Sequence, residues 1–281
     1  MQKTKFSKKN NSLSCENYLA IYQDEDIVNY CDIANKMHIS LLAIDNVNIS
    51  QRNKFLEVFN NKEYSILSPQ MLYEELRKNC FDFSQFIDGF KKALIHDNYN
   101  KVVLVSRKTF SKESIEELKS FLSSNRSDYE LICLKSKNQK LLKWAAKDRR
   151  IDYISIDLLD DSSIVDNALC SLMKQNDKNF EIILSSLLNS NTEKVFSAAL
   201  RNGKKIVERI DSNNTPMIFT IKPSTPYQLR TSSQIRHITQ LLGIPYNKTK
   251  SSTFHNQLVR VIKNVIKLHD THLFEGIKEG S

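Results

Sequence analysis

The most chemically pointed stretch of the chain is Lys222-Pro-Ser-Thr-Pro-Tyr227-Gln-Leu-Arg230. Pro223 and Pro226 each fix their own φ and bias the preceding residue toward extended geometry, so this loop is stiff. A stiff loop carrying Lys222, Tyr227 and Arg230 could grip a phosphate backbone and offer a ring for base stacking. Equally, Arg230 could pair with a local acid while Tyr227 packs on the helix below. The residues alone leave both open. Arg107 and Lys108 follow the apolar run 101–105 after Ser106 and form a second basic pair at the end of an expected strand.

Hydrolytic constellations are thin. Asp157, Asp160 and Asp161 follow another apolar run. Three such acids could hold magnesium, but an ordinary polar loop or a helix cap accounts for them more simply. The six histidines (His38, His96, His237, His255, His269, His272) include no HxH and no HExxH. His269 and His272 are three apart but near the chain end, and no metal site is assigned to them. The five cysteines, Cys15, Cys31, Cys80, Cys133 and Cys170, contain no CxxC and are odd in number, which suits buried thiols in a reducing compartment. There is no GxSxG elbow. The five glycines make neither GxxxxGK[ST] nor GxGxxG, which excludes P-loop and dinucleotide-binding readings.

Charge narrows the partner class. Forty-one Lys and Arg against 32 Asp and Glu leave +9 over 281 residues, with an isoelectric point near 9.2. Such an excess favours a polyanion, most often nucleic acid. No stretch approaches 18 consecutive apolar residues, and the basic start MQKTKFSKKN lacks the apolar run of a secretory signal. The expectation is a soluble, cytoplasmic protein with no membrane partner.

Elements able to position these residues recur in one pattern: a helical-period segment, a short polar turn, then about five apolar residues. Runs of this kind occur at 18–22, 40–45, 101–105, 129–135, 153–157, 180–184 and 216–221. Continuous apolar runs mean strands covered on both faces, hence a parallel sheet. Seven or so βα units fit an α/β fold of the TIM-like β/α barrel type, irregular in detail, better than the alternative of a doubly wound open sheet. SILSP (65–69) suggests a short extra strand beside two helices. No Gly/Pro/Ser-rich linker interrupts the units, so a single barrel domain is expected over 13–270, after a disordered basic tail at 1–12 and before a frayed end at 271–281.

Near the C-terminus, Thr231, Ser232 and Ser233 offer N-cap hydroxyls for a helix that Gly243 ends and Pro245 cannot continue. A last helix begins near Thr253. Its Arg260, Lys263 and Lys267 form a stripe at i, i+3 and i+7, either a solvated face or a phosphate-tracking one, with the solvated face preferred.

With its helix ending Leu-Leu-Gly, the KPSTPYQLRT loop resembles the closing signature of the archaeal and eukaryotic ribonuclease P protein component 3 family. Three earlier blocks agree in order and spacing. KVVLVSRKTF carries Arg107; LLKWAAKDRRIDYISID carries Ala145, Ala146, Arg149, Arg150 and Asp152; NFEIILSSLL carries Glu181. The likeness covers about 100–268. It departs where T-I-K-P replaces a small-residue turn and Thr231-Ser232 replaces Ser-Pro, marking a divergent, archaeal-type member.

The resemblance implies a barrel related to the polymerase and histidinol phosphatase fold, serving as a protein subunit of the ribonucleoprotein that removes the 5′ leader from precursor tRNA. It implies that catalysis, and the Mg2+ it uses, belong to the RNA component, with no cofactor, metal or catalytic residue in this chain. It also implies contact with ribonuclease P RNA, with precursor tRNA, and with other protein subunits including a small α/β one. The RNA-contacting set is Arg107, Arg149, Arg201, Lys222, Tyr227 and Arg230, with Arg149 and Arg201 resting on family position alone. Two other classes compete: a metal-dependent phosphoesterase on the same barrel, and a basic barrel that binds only protein.

Overall fold

Each continuous apolar run falls on a strand, the run at 18–22 as far as Ala20, and all pairings among the described strands are parallel. The computed structural model describes residues 14–20, 24–59, 65–80, 82–96, 101–250 and 255–269; the tail expected at 1–12 and the end expected at 271–281 lie outside them. The chain begins β1 (Ser14–Ala20), α1 (Asp24–Lys36), β2 (Ile39–Asp45), α2 (Ile49–Val58), β3 (Ser65–Leu67), α3 (Pro69–Leu76) and α4 (Phe83–His96). It continues β4 (Lys101–Phe110), α5 (Ile115–Asn125), β5 (Leu131–Leu134), α6 (Gln139–Ala145), β6 (Tyr153–Asp157), α7 (Asn167–Gln175) and β7 (Asn179–Ile183). It closes with α8 (Ser185–Leu188), α9 (Glu193–Ser212), β8 (Met217–Thr220), α10 (Ser232–Leu241), α11 (Tyr246–Lys250) and α12 (Asn256–His269).

Strand order is β1-β2-β4-β5-β6-β7-β8, advancing in one direction without the reversal a doubly wound sheet needs. The terminal strands β1 and β8 also approach each other. The sheet is therefore a curled β/α barrel, irregular as expected. Within each run, residues still alternate between two faces. Leu42, Ile44, Val102 and Leu104 pack outward on α1 and α2. Ile132, Leu134, Ile154, Ile156, Phe180, Ile182 and Phe219 pack outward beneath helices of the second half. Leu41, Ala43, Val103, Val105, Leu131, Cys133, Tyr153 and Ile218 point into the barrel, where they meet α3, α4 and α12.

Helix α12 lies across the N-terminal end of the barrel, fastened by polar bonds to the starts of several strands. Asn264 Nδ2 donates to Glu130 O at 2.8 Å and to Asp152 Oδ1 at 2.9 Å, and Asn256 Nδ2 donates to Met217 O at 3.2 Å. Asp152 also accepts from the amide of Ile132 at 2.8 Å, so one buried carboxylate ties β5 to α12. Helix α10 is capped by Thr231, whose side chain accepts from the Gln234 amide while Gln234 reaches back. Gly243 takes φ +93° just beyond its end, as its place after Leu-Leu suggests.

Strand β4 is the longest of the described strands, and one of its edges is shared. β3 pairs with it through Lys101–Val103, and β5 only from Arg107 onward. Side chains occupy the interval. Arg52 of α2 donates to Leu104 O at 3.1 Å, Glu130 accepts from the Ser106 amide at 2.6 Å, and Arg52 and Glu130 pair at 2.5 Å, both fully buried. Backbone groups without a neighbouring strand thereby keep their hydrogen bonds.

Candidate nucleic-acid interface

Inward-facing residues turn polar toward the C-terminal ends of the strands. Arg107 of β4 and Glu181 of β7 meet across the interior in a two-pronged pair, Nη1–Oε1 at 2.5 Å and Nη2–Oε2 at 2.7 Å. Ser155 of β6 and Thr220 of β8 also donate to the Glu181 carboxylate, the latter at 3.1 Å. Burial would raise the Glu181 carboxyl, but the Arg107 charge and these hydrogen bonds hold it below its ordinary value of 4.5.

This corrects the expectation for Arg107. It is 0% exposed and serves as a core ion-pair partner, out of reach of an RNA phosphate. Alternation explains the outcome: Arg107 is in phase with Val103 and Val105, which point inward, and lies two residues beyond Val105 on the same face.

Above this pair lies a ring of charge. Lys135, just after β5, reaches Asp157 at 3.5 Å, and Ser186 donates to the same carboxylate. Lys222 is exposed. Its ammonium is held below lysine's usual value by partial desolvation first, with Lys135 and Arg107 adding repulsion and Asp45 and Asp157 opposing it. Asp45 is buried at the end of β2. Lys135 and Asp45 escaped the sequence-derived site, although each ends a strand just as Lys222 does. Asking which residue ends each apolar run would have found both.

The rim loop is stiffer than its prolines alone make it. Gln228 Oε1 accepts from the Ser224 amide at 2.7 Å and from its hydroxyl at 3.0 Å. Leu229 is fully buried among α1 residues, and Tyr30 donates to Pro223 O at 3.3 Å. Arg230 donates to Tyr227 O at 3.1 Å and to Leu229 O at 2.8 Å, so Nη1 braces the loop rather than meeting a local acid. Tyr227 does not pack on the helix below; it is 81% exposed. A rigid loop thus presents an aromatic ring and Lys222 to solvent.

Asp157, Asp160 and Asp161 act as loop acceptors and a cap. Asp160 Oδ2 accepts from the Asp157 amide at 3.0 Å, and Asp161 Oδ1 accepts from the Ser163 amide at 2.9 Å to start a 3-10 turn. Among the described residues, no group of three His, Cys, Asp or Glu side chains could hold a metal ion. His272 lies outside the described residues.

Structure separates the two remaining arginines. Arg201 is exposed on α9. Arg149 is exposed on the turn before β6, at the opposite end of the barrel from Lys222, and lines a cleft with Arg260, Lys263 and Lys267. The six expected contacts therefore do not make one patch. Lys222, Tyr227 and Arg230 share the C-terminal mouth, Arg107 lies beneath it in the core, and Arg149 belongs to the far end.

Residues 41–268 match the protein family described as RNase P subunit p30. No curated protein sequence matches the chain. Among solved structures, a chain in the cryo-EM structure of archaeal ribonuclease P with mature tRNA superposes with a TM-score of 0.63 at 14% identity, covering 95% of this chain and 99% of that one. A Xaa-Pro dipeptidase with methionine in its active site reaches 0.50 at 10% identity, over 90% of this chain and 75% of that one. Histidinol phosphate phosphatase from Lactococcus lactis, with zinc, L-histidinol and phosphate, reaches 0.42 at 8% identity, over 83% and 94% respectively. No helix of the described residues is long and apolar enough to cross a membrane.

Proposed function

The chain belongs to the RNase P subunit p30 family and is a protein subunit of RNase P, and from that premise we propose that it binds and supports the RNA component while contributing no catalytic group of its own. The observation that carries this reading is the family match across 41–268, which runs from within β2 into α12 and so takes in every strand of the barrel after β1. Within it, Lys222, Tyr227 and Arg230 are the residues assigned to RNA at the barrel mouth. Lys222 supplies a point charge for a phosphate. Tyr227 supplies a stacking face whose loop is already ordered, so little conformational entropy is lost on binding. Arg230 is half-buried and braces the loop through Nη1, which leaves its other guanidinium donors for a phosphate.

Support for a noncatalytic role comes from the barrel interior, where Glu181 is engaged by Arg107, Ser155 and Thr220 and offers no lone carboxylate for acid–base work. On this reading the hydrolysis that removes the 5′ leader from precursor tRNA is carried out by the RNA with its own magnesium ions, and this chain holds no metal. Partners are ribonuclease P RNA, precursor tRNA and other protein subunits, including a small α/β one, in the cytoplasm.

Affinity capture of the full chain from its native extract, followed by RNA sequencing, should recover one structured RNA that cleaves precursor tRNA. The isolated protein should leave that substrate intact at any ordinary magnesium concentration and should carry no stoichiometric metal. Robust cleavage by RNA-free protein would overturn the noncatalytic assignment.

A further inference from the structure

Far from the mouth, at the N-terminal end of the barrel, a cleft of about 380 Å³ opens between α12 and the turns leading into β6 and β7. Its lining carries five cations, Arg149, Lys178, Arg260, Lys263 and Lys267, and Asp177 as its one acid. These residues come from three distant parts of the sequence, so the concentration of charge is a product of the fold. The stripe Arg260, Lys263, Lys267 faces this cleft rather than open solvent alone.

The acid does not neutralise the site. Asp177 pairs with Lys263 at 2.5 Å and approaches Arg260 at 3.6 Å, and its own backbone, at φ 50°, accepts from Arg260 through the carbonyl. Lys178 donates hydrogen bonds to the carbonyls of Ala145, Asp148 and Ile151, which locks the turn and holds a positive charge in the wall at neutral pH. Arg260 Nε is buried with no hydrogen-bond partner, an unsatisfied donor at a site already rich in donors. Arg149 and Lys267 make no ion pair or hydrogen bond with other described residues, and both are exposed. Mutual repulsion is visible in Lys267, whose ammonium is held below its ordinary value by desolvation first and then by Arg260, Arg126 and Lys263, against the pull of Asp152.

We propose that this cleft is a second RNA-binding site, in which Arg149 and Lys267 hold backbone phosphates of the RNA and the Phe83–Ile266 side of the cleft receives a sugar. The proposal rests on the RNase P subunit reading and adds a surface at the opposite end of the barrel from the mouth. A phosphodiester suits the site because its charge is fixed at any working pH and is repeated along the strand, so several separated cations can be met by one ligand. A guanidinium can also grip it with two bonds. The chain then bridges two segments of RNA through its two ends.

The test compares three double variants of the full chain with wild type: Arg149→Gln/Lys267→Gln in the cleft, Lys222→Gln/Arg230→Gln at the mouth, and Lys119→Gln/Lys140→Gln at exposed positions of α5 and α6 as a control of equal charge. Each is titrated against transcribed ribonuclease P RNA from 50 to 300 mM KCl, beside a thermal melt. Two lost phosphate contacts should weaken binding about 10- to 30-fold near 150 mM salt and lower the slope of log affinity against log salt by about 1.4 to 1.8. The control should lose much less, and Arg149→Lys/Lys267→Arg should recover most of the affinity. Cleft and control variants falling alike would overturn the site, as would a cleft variant with wild-type affinity and slope while wild type binds tightly. Absence of RNA binding by wild type would instead defeat the subunit reading on which the site rests. Normal RNA binding by the cleft variant, with loss of a protein partner in a pull-down, would overturn the RNA assignment in favour of a protein interface.

Discussion

Replacing Arg107 with alanine tests the partition between core and contact most directly. In the native protein Arg107 and Glu181 are fully buried and joined by two bonds of 2.5 and 2.7 Å. Removing one partner of such a pair leaves an uncompensated buried charge and typically costs about 3–5 kcal/mol. Domains are stable by only about 5–15 kcal/mol, so the loss is a large share of the whole. At roughly 2 °C per kcal/mol for a chain of this length, the melting temperature should fall by about 6–10 °C.

A pH series adds a sign. In wild type the Glu181 carboxyl lies below its ordinary 4.5, so its contribution is present above that value and is lost as pH falls through the folded pKa. Without Arg107, burial dominates and the folded carboxyl moves above 4.5, so the variant loses stability as pH rises through 4.5 toward the new value. The gap between wild type and Arg107→Ala should therefore narrow in acid. Urea unfolding at several pH values reads both effects. A variant that melts like wild type at every pH yet binds RNA poorly would refute the buried pair and restore Arg107 as a contact.

Other outcomes are expected from the same geometry. Tyr227→Ala should weaken RNA binding by about 1–3 kcal/mol, the worth of one stacked base, with an unchanged melt; equal affinity in a filter-binding titration would remove Tyr227 from the interface. Arg230→Lys keeps the charge but loses the planar fork, so reconstituted precursor-tRNA cleavage should fall several-fold at limiting protein, and full activity would mean the residue only braces the loop. Lys178→Met removes the donor shared by three carbonyls and should cost about 2–4 kcal/mol at pH 7. Since burial lowers the Lys178 ammonium from 10.5 to about 8, its desolvation cost is full below pH 8 and lifts between 8 and 10.5, so the wild-type advantage in urea midpoint should widen across that window.

Barrel architecture was legible because a strand covered on both faces leaves an uninterrupted apolar run, and β2, β4, β6, β7 and β8 each have one. Even β3, three residues long, announced itself through Ile66 and Leu67 before Pro69. Helix α11 did not, since five residues after Pro245 carry too little periodicity. The rim loop was legible as a turn because Pro223 and Pro226 mark one whatever the surroundings. Arg107 looks like the end of an apolar run, yet its phase puts it inside: Val103, Val105 and Arg107 share a face, as Tyr153 and Ser155 do. The basic cleft was beyond reach, because Arg149, Lys178 and Lys267 approach one another only through tertiary packing, and a charged stripe on α12 looks the same whether water or a phosphate lies in front of it.

The shared edge of β4 bears on how the wall of the barrel comes apart. Between the stretch paired with β3 and the stretch paired with β5, the strand is stitched to its surroundings by Arg52 and Glu130. Arg52 belongs to α2, so undocking that helix would remove the partner of the Leu104 carbonyl and the counter-charge of Glu130 at once. The Ser106 amide, held by a carboxylate rather than by a strand, should then exchange its hydrogen through local opening of α2, at a free energy below that of its neighbours on β4. A measured protection factor at Ser106 would thus report on α2 rather than on the sheet. The barrel has a slit laced by two side chains, and local opening is expected there before it reaches the paired stretches on either side.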